Sequence, residues 1–404
     1  MTDVDVAVVG GGMVGASFAL ALAGTGVRVL LIESVAPDSD AQPSFDERTS
    51  ALGNATRRIF QGLGVWDAIA REAAPIRNIH ISDAGRFGFA RLRAEEQGIE
   101  AFGYAVANRA IGAALWSRLR EVGGVELRVP AATESVEITS EAVHLTISGD
   151  AGIREHVTAR LVVAADGAHS SVRQVAGIVA EVEDYDQVAV VANVATDQSA
   201  GDTAFERFTS AGPLALLPLR DGRFTVIWTM RPDAATRALA LDETTFLQEL
   251  QQRFGWRAGR FVRVGRRVSY PLKLMRAAEM VGPRTALIGN AAQTLHPVAA
   301  QGFNLGLRDA AMLAEIIAAS DGDVGAPELL QRFSQWRAAD RQGVIRFADG
   351  LVRLFVDSRR PVTLLRDLGL FLFDVTPPAK RALARVSLGF AGPSPRLARG
   401  LPVR

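Results

Sequence analysis

Val4-Asp5-Val6-Ala7-Val8-Val9-Gly10-Gly11-Gly12-Met13-Val14-Gly15-Ala16-Ser17-Phe18-Ala19-Leu20-Ala21-Leu22-Ala23 opens the chain, and Val27 to Ile32 followed by Glu33 lies just behind it. Val6 to Val27 carries no charge over 22 residues, a length that can span a bilayer. Two features argue for another reading. Asp3 and Asp5 stand where a signal peptide needs basic residues, and three consecutive glycines near the start suit a turn better than a membrane helix. Read as strand, turn, helix and strand, the stretch is coherent. Val4 to Val9 is a short apolar strand, Gly10 to Gly15 a turn, Ala16 to Ala23 a small-residue helix, and Val27 to Ile32 a second strand. This is a β-α-β unit of about 30 residues.

The turn has the pattern Gly10-x-Gly12-x-x-Gly15. The first glycine permits the tight turn, the second lets backbone approach a pyrophosphate, and the third lets helix and strand pack closely. The helix start then offers free N–H groups and a positive dipole end to phosphate. Glu33, 18 residues after Gly15, is placed to accept hydrogen bonds from an adenosine ribose. The unit predicts dinucleotide binding without choosing between NAD and FAD.

The remaining composition narrows the function by exclusion. The chain has 404 residues, 45 Lys+Arg against 44 Asp+Glu, and no cysteine. A net charge of +1 argues against a general nucleic-acid binder. Disulfides, thiolate metal sites and a cysteine nucleophile are excluded. His80, His144, His156, His169 and His296 are scattered, none at helical zinc spacing, so no metal site is expected. The length predicts two or three domains. No second glycine turn of the first kind follows a later strand, so a second dinucleotide would have no nucleotide-binding unit of its own.

Two further glycine motifs follow strand-like segments. Leu161 to Ala165 leads into Asp166-Gly167-Ala168-His169-Ser170-Ser171-Val172-Arg173. Thr285 to Ile288 leads into Gly289-Asn290-Ala291-Ala292-Gln293-Thr294-Leu295-His296-Pro297, then Gln301-Gly302-Phe303-Asn304 and an apolar helix to about Ala319. These three motifs, in this order and over residues 1 to roughly 345, resemble the single-component FAD monooxygenases that hydroxylate aromatic rings. Ala204 to Phe208 (AFERF), Gly212 to Leu219 (GPLALLPL) and the third glycine motif are most similar to the ubiquinone-biosynthesis branch. Two positions depart from the broad family, Asn290 where it has Asp and Ala300 where it has Gly. Asn is nearly isosteric with Asp and both donates and accepts, so a contact to the ribityl hydroxyls can survive.

The resemblance implies an α/β fold: a Rossmann-like FAD-binding domain, an inserted antiparallel β-sheet substrate domain and a helical C-terminal region. It implies FAD bound by Gly10, Gly12, Gly15, Glu33, Arg48, Arg109, Asp166, Gly289, Asn290, Gln301, Gly302 and Asn304. Asp166 could instead only cap the next turn. Gln301-Gly302 would open a helix whose dipole favours negative charge on a reduced flavin. His296 and Pro297 would stand at the flavin's reactive face, and Asp309 reads as a helix-face acid. The implied reaction is hydroxylation of a polyprenylated methoxyphenol in ubiquinone biosynthesis, with O2 and with NAD(P)H as a transient reductant, through a flavin C4a-hydroperoxide. Alternatives are a flavin-dependent reductase or oxidase on the same fold, or a non-catalytic FAD-containing member of a quinone-biosynthesis complex. No side chain in the sequence presents itself as the base for the phenol.

Domain limits follow from the segment pattern. Residues 1–77, 101–182 and 275–336 are assigned to the FAD-binding domain, and 78–100 and 183–274 to the substrate domain. There Val188 to Val194, Leu214 to Leu219 and Phe224 to Met230 read as strands, with Asp221-Gly222 a hairpin turn. Residues 337–404 form the C-terminal region, with thirteen basic and five acidic side chains. Phe347, Leu351, Leu354 and Phe355 recur at one helical face. Leu368 to Phe373 is an apolar run too short to span a bilayer. Basic and apolar character together suit a surface that meets anionic lipid or a multi-enzyme complex, so the expectation is a cytoplasmic protein, peripheral on the inner face of the membrane.

Overall fold

The computed structural model describes residues 2–39, 42–86, 88–149, 152–356, 374, 376, 378–381, 388–389 and 394–404. The strand Thr2–Val9 lies between Val29–Ile32 and Arg154–Ala164 and runs parallel to both. Val6 is registered with Val29 on one side and Leu161 on the other. Buried on both faces, these strands read as continuous Val/Leu/Ile runs rather than alternating ones. Thr285–Leu287 adds beyond Arg154–Ala164, and Val125–Arg128 beyond Val29–Ile32. The uncharged run at the start of the chain is therefore strand, turn and helix Met13–Leu22. Among the described residues no helix is long and apolar enough to cross a membrane.

A second, mostly antiparallel sheet is built from Val268–Ala277, Ala180–Thr196, Phe224–Met230, Gly212–Pro218 and Thr203–Thr209 in that spatial order. The segment expected to join it does so. Asn78–Asp83 pairs parallel with Thr203–Thr209, and Phe89–Arg93 pairs with Asn78–Asp83. Side chains of directly opposed residues share a face, which sorts the sheet cleanly. Val190, Leu214, Leu216, Phe224, Val226 and Trp228 pack beneath the helices Pro232–Ala240 and Glu243–Phe254. Ala204, Leu217 and Ile227 point the other way, against Ala51, Ala74, Ile76 and Ala105 of the first half. Thr49 and Thr225 hydroxyls meet at 2.7 Å across the same seam. The inner face of this sheet and the glycine motifs thus enclose the space between the two halves.

Two helices close the fold. Gln301–Ala318 packs on Met13–Leu22 and comes so close to the third glycine motif that a Cβ on Gly306 would lie 2.8 Å from the Gly289 Cα. Pro327–Val356 runs unbroken through residue 337, so the expected boundary between 336 and 337 falls inside a helix. Its buried face is Val344, Ile345, Ala348 and Val352, not the expected stripe. Phe347 and Leu351 are half-buried, Leu354 is 43% exposed, and the side chain of Phe355 lies outside the described residues. Contact with Phe208 and Val298 selects that face, which periodicity within the helix cannot anticipate. Leu368 to Phe373 also lies outside the described residues.

Candidate cofactor-binding site

The first glycine turn is a cradle that side chains would fill. Gly10 adopts φ +102°, and a Cβ there would lie 2.5 Å from the Ala165 carbonyl oxygen. A Cβ on Gly15 would lie 1.9 Å from the Gly10 carbonyl oxygen. Gly12 is less confined, with the Ser44 hydroxyl at 3.0 Å. The helix Met13–Leu22 starts with no side-chain cap and no acidic residue in its first turn. Its leading N–H groups are thus left for an anion.

Glu33 is buried at the end of Val29–Ile32. Its Oε2 accepts a hydrogen bond from the Gly11 N–H at 2.7 Å, and its Oε1 from the Val35 N–H at 2.9 Å. Trp116 Nε1 donates to the Gly11 carbonyl at 3.1 Å. The Ser34 hydroxyl also donates to Oε1 at 3.4 Å, and Oε2 keeps a lone pair for a ligand hydroxyl. A charge-assisted hydrogen bond is worth about 1.5–3 kcal/mol. Glu33→Ala is therefore expected to weaken dinucleotide binding roughly 10- to 100-fold, read as a dissociation constant by titration of the apoprotein. An unchanged constant would remove Glu33 from the site.

Asp166 caps a turn with one carboxylate oxygen and leaves the other unpaired. Its Oδ2 accepts from the Ser171 N–H at 2.9 Å and caps the short helix Ser171–Val175, while its Oδ1 is buried with no hydrogen-bond partner. An acceptor orphaned beside Gly10 fits a ligand hydroxyl. Arg48 is held by Asp46 (2.6 Å) and the Pro43 carbonyl (2.7 Å), with its guanidinium 4.5 Å above the Tyr270 ring. The Tyr270 hydroxyl donates to the same Asp46 carboxylate. Arg48, Trp116 and Tyr270 line a cavity of about 580 Å³ between the two halves.

Arg109 lines the same cavity but differs from its expected role. Its guanidinium is ion-paired to Glu47 (2.7 Å) and Glu72 (2.9 Å) at an exposed rim. The buried residue of that turn is Asn108, whose N–H donates to the Arg48 carbonyl and whose Oδ1 accepts from Ser50. The helix Asn108–Val122 turns Asn108 inward and Arg109 outward.

In the third motif, Gly289 has φ +59° and Asn290 is exposed toward solvent. Ala300 has φ +49°, ψ +38°, left-handed backbone at the position read above as departing from a glycine. That conformation costs an L-residue roughly 1–2 kcal/mol, which accounts for the glycine elsewhere. The helix Gln301–Ala318 follows, again with no side-chain cap and no acid in its first turn. Gln301 is buried, and a Cβ on Gly302 would have its nearest neighbour at 3.9 Å.

Asn304 is a correction. Its Nδ2 donates to the Ala51 and Ala300 carbonyls, and its Oδ1 accepts from the Gly53 N–H and the Thr56 hydroxyl. All its side-chain capacity is used within the protein, so it ties the left-handed turn to the neighbouring strand rather than reaching a ligand. Asp309 is likewise not a surface acid. It is fully buried and ion-paired to Arg337.

His296 is buried. Its Nδ1 accepts from the Val298 N–H at 3.1 Å, its ring stands edge-on to Tyr185, and Nε2 has no hydrogen-bond partner. Burial lowers its pKa to about 4, so the imidazole is neutral near pH 7. Pro297 precedes the 3-10 turn Val298–Ala300. The site thus joins two uncapped helix starts, a ribose-type carboxylate and an orphaned acceptor. That donor set fits a phosphate-linked, hydroxyl-rich cofactor with an electron-accepting ring at the second helix. No metal-binding cluster occurs among the described residues.

Comparison with known proteins agrees. The model of the FAD binding domain family matches residues 3–348. The chain is 39% identical to a ubiquinone hydroxylase, UbiL, of Rhodospirillum rubrum over 99% of this chain and 93% of that one. It is 33% identical to the 3-demethoxyubiquinol 3-hydroxylase of Escherichia coli over 95% and 98%. Among solved structures, p-nitrophenol 4-monooxygenase PnpA from Pseudomonas putida superposes with a TM-score of 0.81 at 22% identity, covering 97% of this chain and 99% of that one.

Proposed function

The chain belongs to the FAD binding domain family, and from that premise we propose that it is an FAD-dependent monooxygenase that hydroxylates the aromatic ring of a polyprenylated methoxyphenol in ubiquinone biosynthesis. The observation that carries this is the pair of uncapped helix starts, at Met13 and Gln301, that flank one space with Glu33 and Asp166 at its edge. Relatives named as ubiquinone hydroxylases support the substrate class.

In this reading Gly10, Gly12 and Gly15 let backbone meet the pyrophosphate, and Glu33 accepts from the adenosine ribose. Asp166 and Asn290 hydrogen-bond hydroxyls of the ribityl chain. The N–H groups of Gln301 and Gly302, at the positive end of a helix, favour negative charge on the ring system. Bound FAD supplies the redox chemistry that activates O2. Arg48, fixed by Asp46 and Tyr270, stands at the cavity where NAD(P)H would approach transiently. His296 and Pro297 wall the reacting face, with the neutral imidazole adding no charge there. Asn304 and Asn108 hold the turns that carry these groups. The substrate domain is the second sheet with residues 78–100 attached.

The test uses the flavin-loaded protein, NADH or NADPH, and 2-methoxy-6-prenylphenol bearing one isoprene unit. Mass spectrometry with ¹⁸O₂ should find one labelled oxygen on the ring. Oxidised or reduced product without label would instead make it an oxidase or reductase.

The chain's C-terminal surplus of eight basic charges over residues 337–404 supports a peripheral contact with anionic lipid, from which a nearly insoluble substrate would be drawn. The protein should float with vesicles containing anionic phospholipid at low salt and be released at high salt. Equal behaviour with neutral vesicles, or none, would discount that contact.

A further inference from the structure

Glu206 is the acid within AFERF, on the strand Thr203–Thr209. The register fixes where it points. It pairs with Ile81 on one neighbouring strand and Ala215 on the other, Ala215 pairs with Ile227, and Ile227 with Val191. These five residues form one row across the sheet, and Glu206 is its one polar member. The row lies on the inner face, because Ile227 packs with Ala204 and Leu217 against the first half. Two residues along the strand, Phe208 packs with Val298, in the turn that follows His296 and Pro297. Glu206 therefore lies on the sheet wall that faces the start of the Gln301–Ala318 helix.

A carboxylate in an apolar row on an enclosed face is costly unless something meets it. Glu206 has no hydrogen bond or ion pair to any described residue, and burial alone raises its pKa to about 7. It nevertheless keeps accessible surface. Its neighbours on this face, Ala204 and Phe208, pack against the first half and against Val298, Ala348 and Val352, so Glu206 stands on a covered side of the sheet. The other charged or titratable groups on this side include Asp83, Tyr185, His296 and Asp349, and Asp46, Arg48 and Tyr270 where the row ends at Val191. The Tyr185 hydroxyl is given to Asp349, and burial, first of all, holds Tyr185 well above the usual phenol range. Arg207 and His80 belong to the opposite face, where His80 packs on Phe205.

We propose that Glu206 is the acceptor for the ring hydroxyl of the phenolic substrate, holding it by a hydrogen bond and taking its proton as the ring is oxygenated. The phenol O–H bond breaks and an O–H bond to a Glu206 carboxylate oxygen forms. The electron pair stays on the substrate oxygen and enriches the ring. The proton leaves to water when product departs. The inference rests on the phenol-hydroxylase reading.

Glu206→Gln keeps an acceptor of the same shape but cannot take the proton, and Glu206→Leu keeps neither. Removing a general base commonly costs 10²–10⁴ in rate. With 2-methoxy-6-prenylphenol and the flavin-loaded protein, Glu206→Gln should bind the phenol within about 5-fold of the parent and hydroxylate at least roughly 100-fold more slowly. The parent's dissociation constant, read by fluorescence titration, should rise as pH falls through 7, because a protonated Glu206 no longer accepts as a carboxylate. That step should be absent in both variants, and Glu206→Leu should bind at least about 10-fold more weakly. Flavin content and Tm of both variants report folding independently. Hydroxylation by Glu206→Gln within about 3-fold of the parent would overturn the proposal while leaving the hydroxylase reading intact. A parent that makes no hydroxylated product would overturn that reading, and the binding arm would still decide whether Glu206 meets the phenol.

Discussion

Asp309→Ala should lower folding stability by about 3–5 kcal/mol, the cost of leaving one member of a buried ion pair without its partner. Asp309 and Arg337 are both fully buried and meet at 2.6 Å. Arg337 also contacts Asp340 at 2.6 Å, and Arg308 donates to Asp340 at 2.9 Å. Gln293 donates its amide to the other Asp309 oxygen and accepts from Arg341. Two acids and two arginines thus neutralise each other between the Gln301–Ala318 and Pro327–Val356 helices, next to the third glycine motif. Removing Asp309 strands the Arg337 cation and the Gln293 amide together. Urea unfolding followed by tryptophan fluorescence should show the loss, and Asp309→Leu combined with Arg337→Met should recover much of it, since an apolar pair carries no desolvation penalty. A single-variant loss under about 1 kcal/mol would mean that the helices relax and admit water. Burial pushes the Asp340 carboxyl up, but Arg308 and Arg337 outweigh it and hold the group below the usual carboxylate range. Its contribution is therefore complete above about pH 4 and is lost as pH falls below that.

Gly15→Ala is expected to yield protein that folds but purifies without flavin, with the FAD dissociation constant raised at least roughly 100-fold, or about 2.7 kcal/mol. The added methyl carbon would sit 1.9 Å from the Gly10 carbonyl oxygen and 3.0 Å from the Ala165 Cβ. The first obstacle is backbone, so the turn itself must open and carry the Gly10 and Gly11 amides away from the pyrophosphate. Two other glycines set the scale. Gly12→Ala meets only the Ser44 hydroxyl at 3.0 Å, and Gly302→Ala meets nothing closer than 3.9 Å. The order of flavin loss should therefore be Gly15, then Gly12, then Gly302. The absorbance ratio of flavin to protein after purification measures it, and full flavin in Gly15→Ala would mean that the turn is not the cofactor cradle.

Much of the flavin half was legible because its signals are local. Gly10 and Gly15 are needed for contacts within a few residues or across one strand pair, and apolar runs such as Leu161 to Ala164 mark strands buried on both sides. Ala300 stood out in the sequence as a departure, and its left-handed backbone supplies the reason. At the site, the differences turn on which way a side chain faces. Arg109 was named and Asn108 was not, and one residue of helix rotation separates the exposed ion pair of the first from the buried amide of the second. Asn304 looked like a ligand because it sits in a ligand motif, yet its four hydrogen bonds go to Ala51, Gly53, Thr56 and Ala300, three of them about 250 residues away in the chain.

By itself, then, the sequence determined the β-α-β entry, the three glycine motifs in order, the alternating strands of the second sheet and the absence of thiol chemistry. Each is set by periodicity or by a backbone need at a single position. Only the tertiary structure decided that Glu206 lies in an apolar row facing the other half and that Asp309 is buried with Arg337. It also decided which face of the last long helix is covered. Strand pairing and helix docking are sums over contacts distant in sequence, and shifting a strand register by one residue would exchange its two faces. The residues proposed to hold the flavin could be named from their neighbours in the chain, whereas the residue proposed to meet the substrate is defined by its neighbours in space.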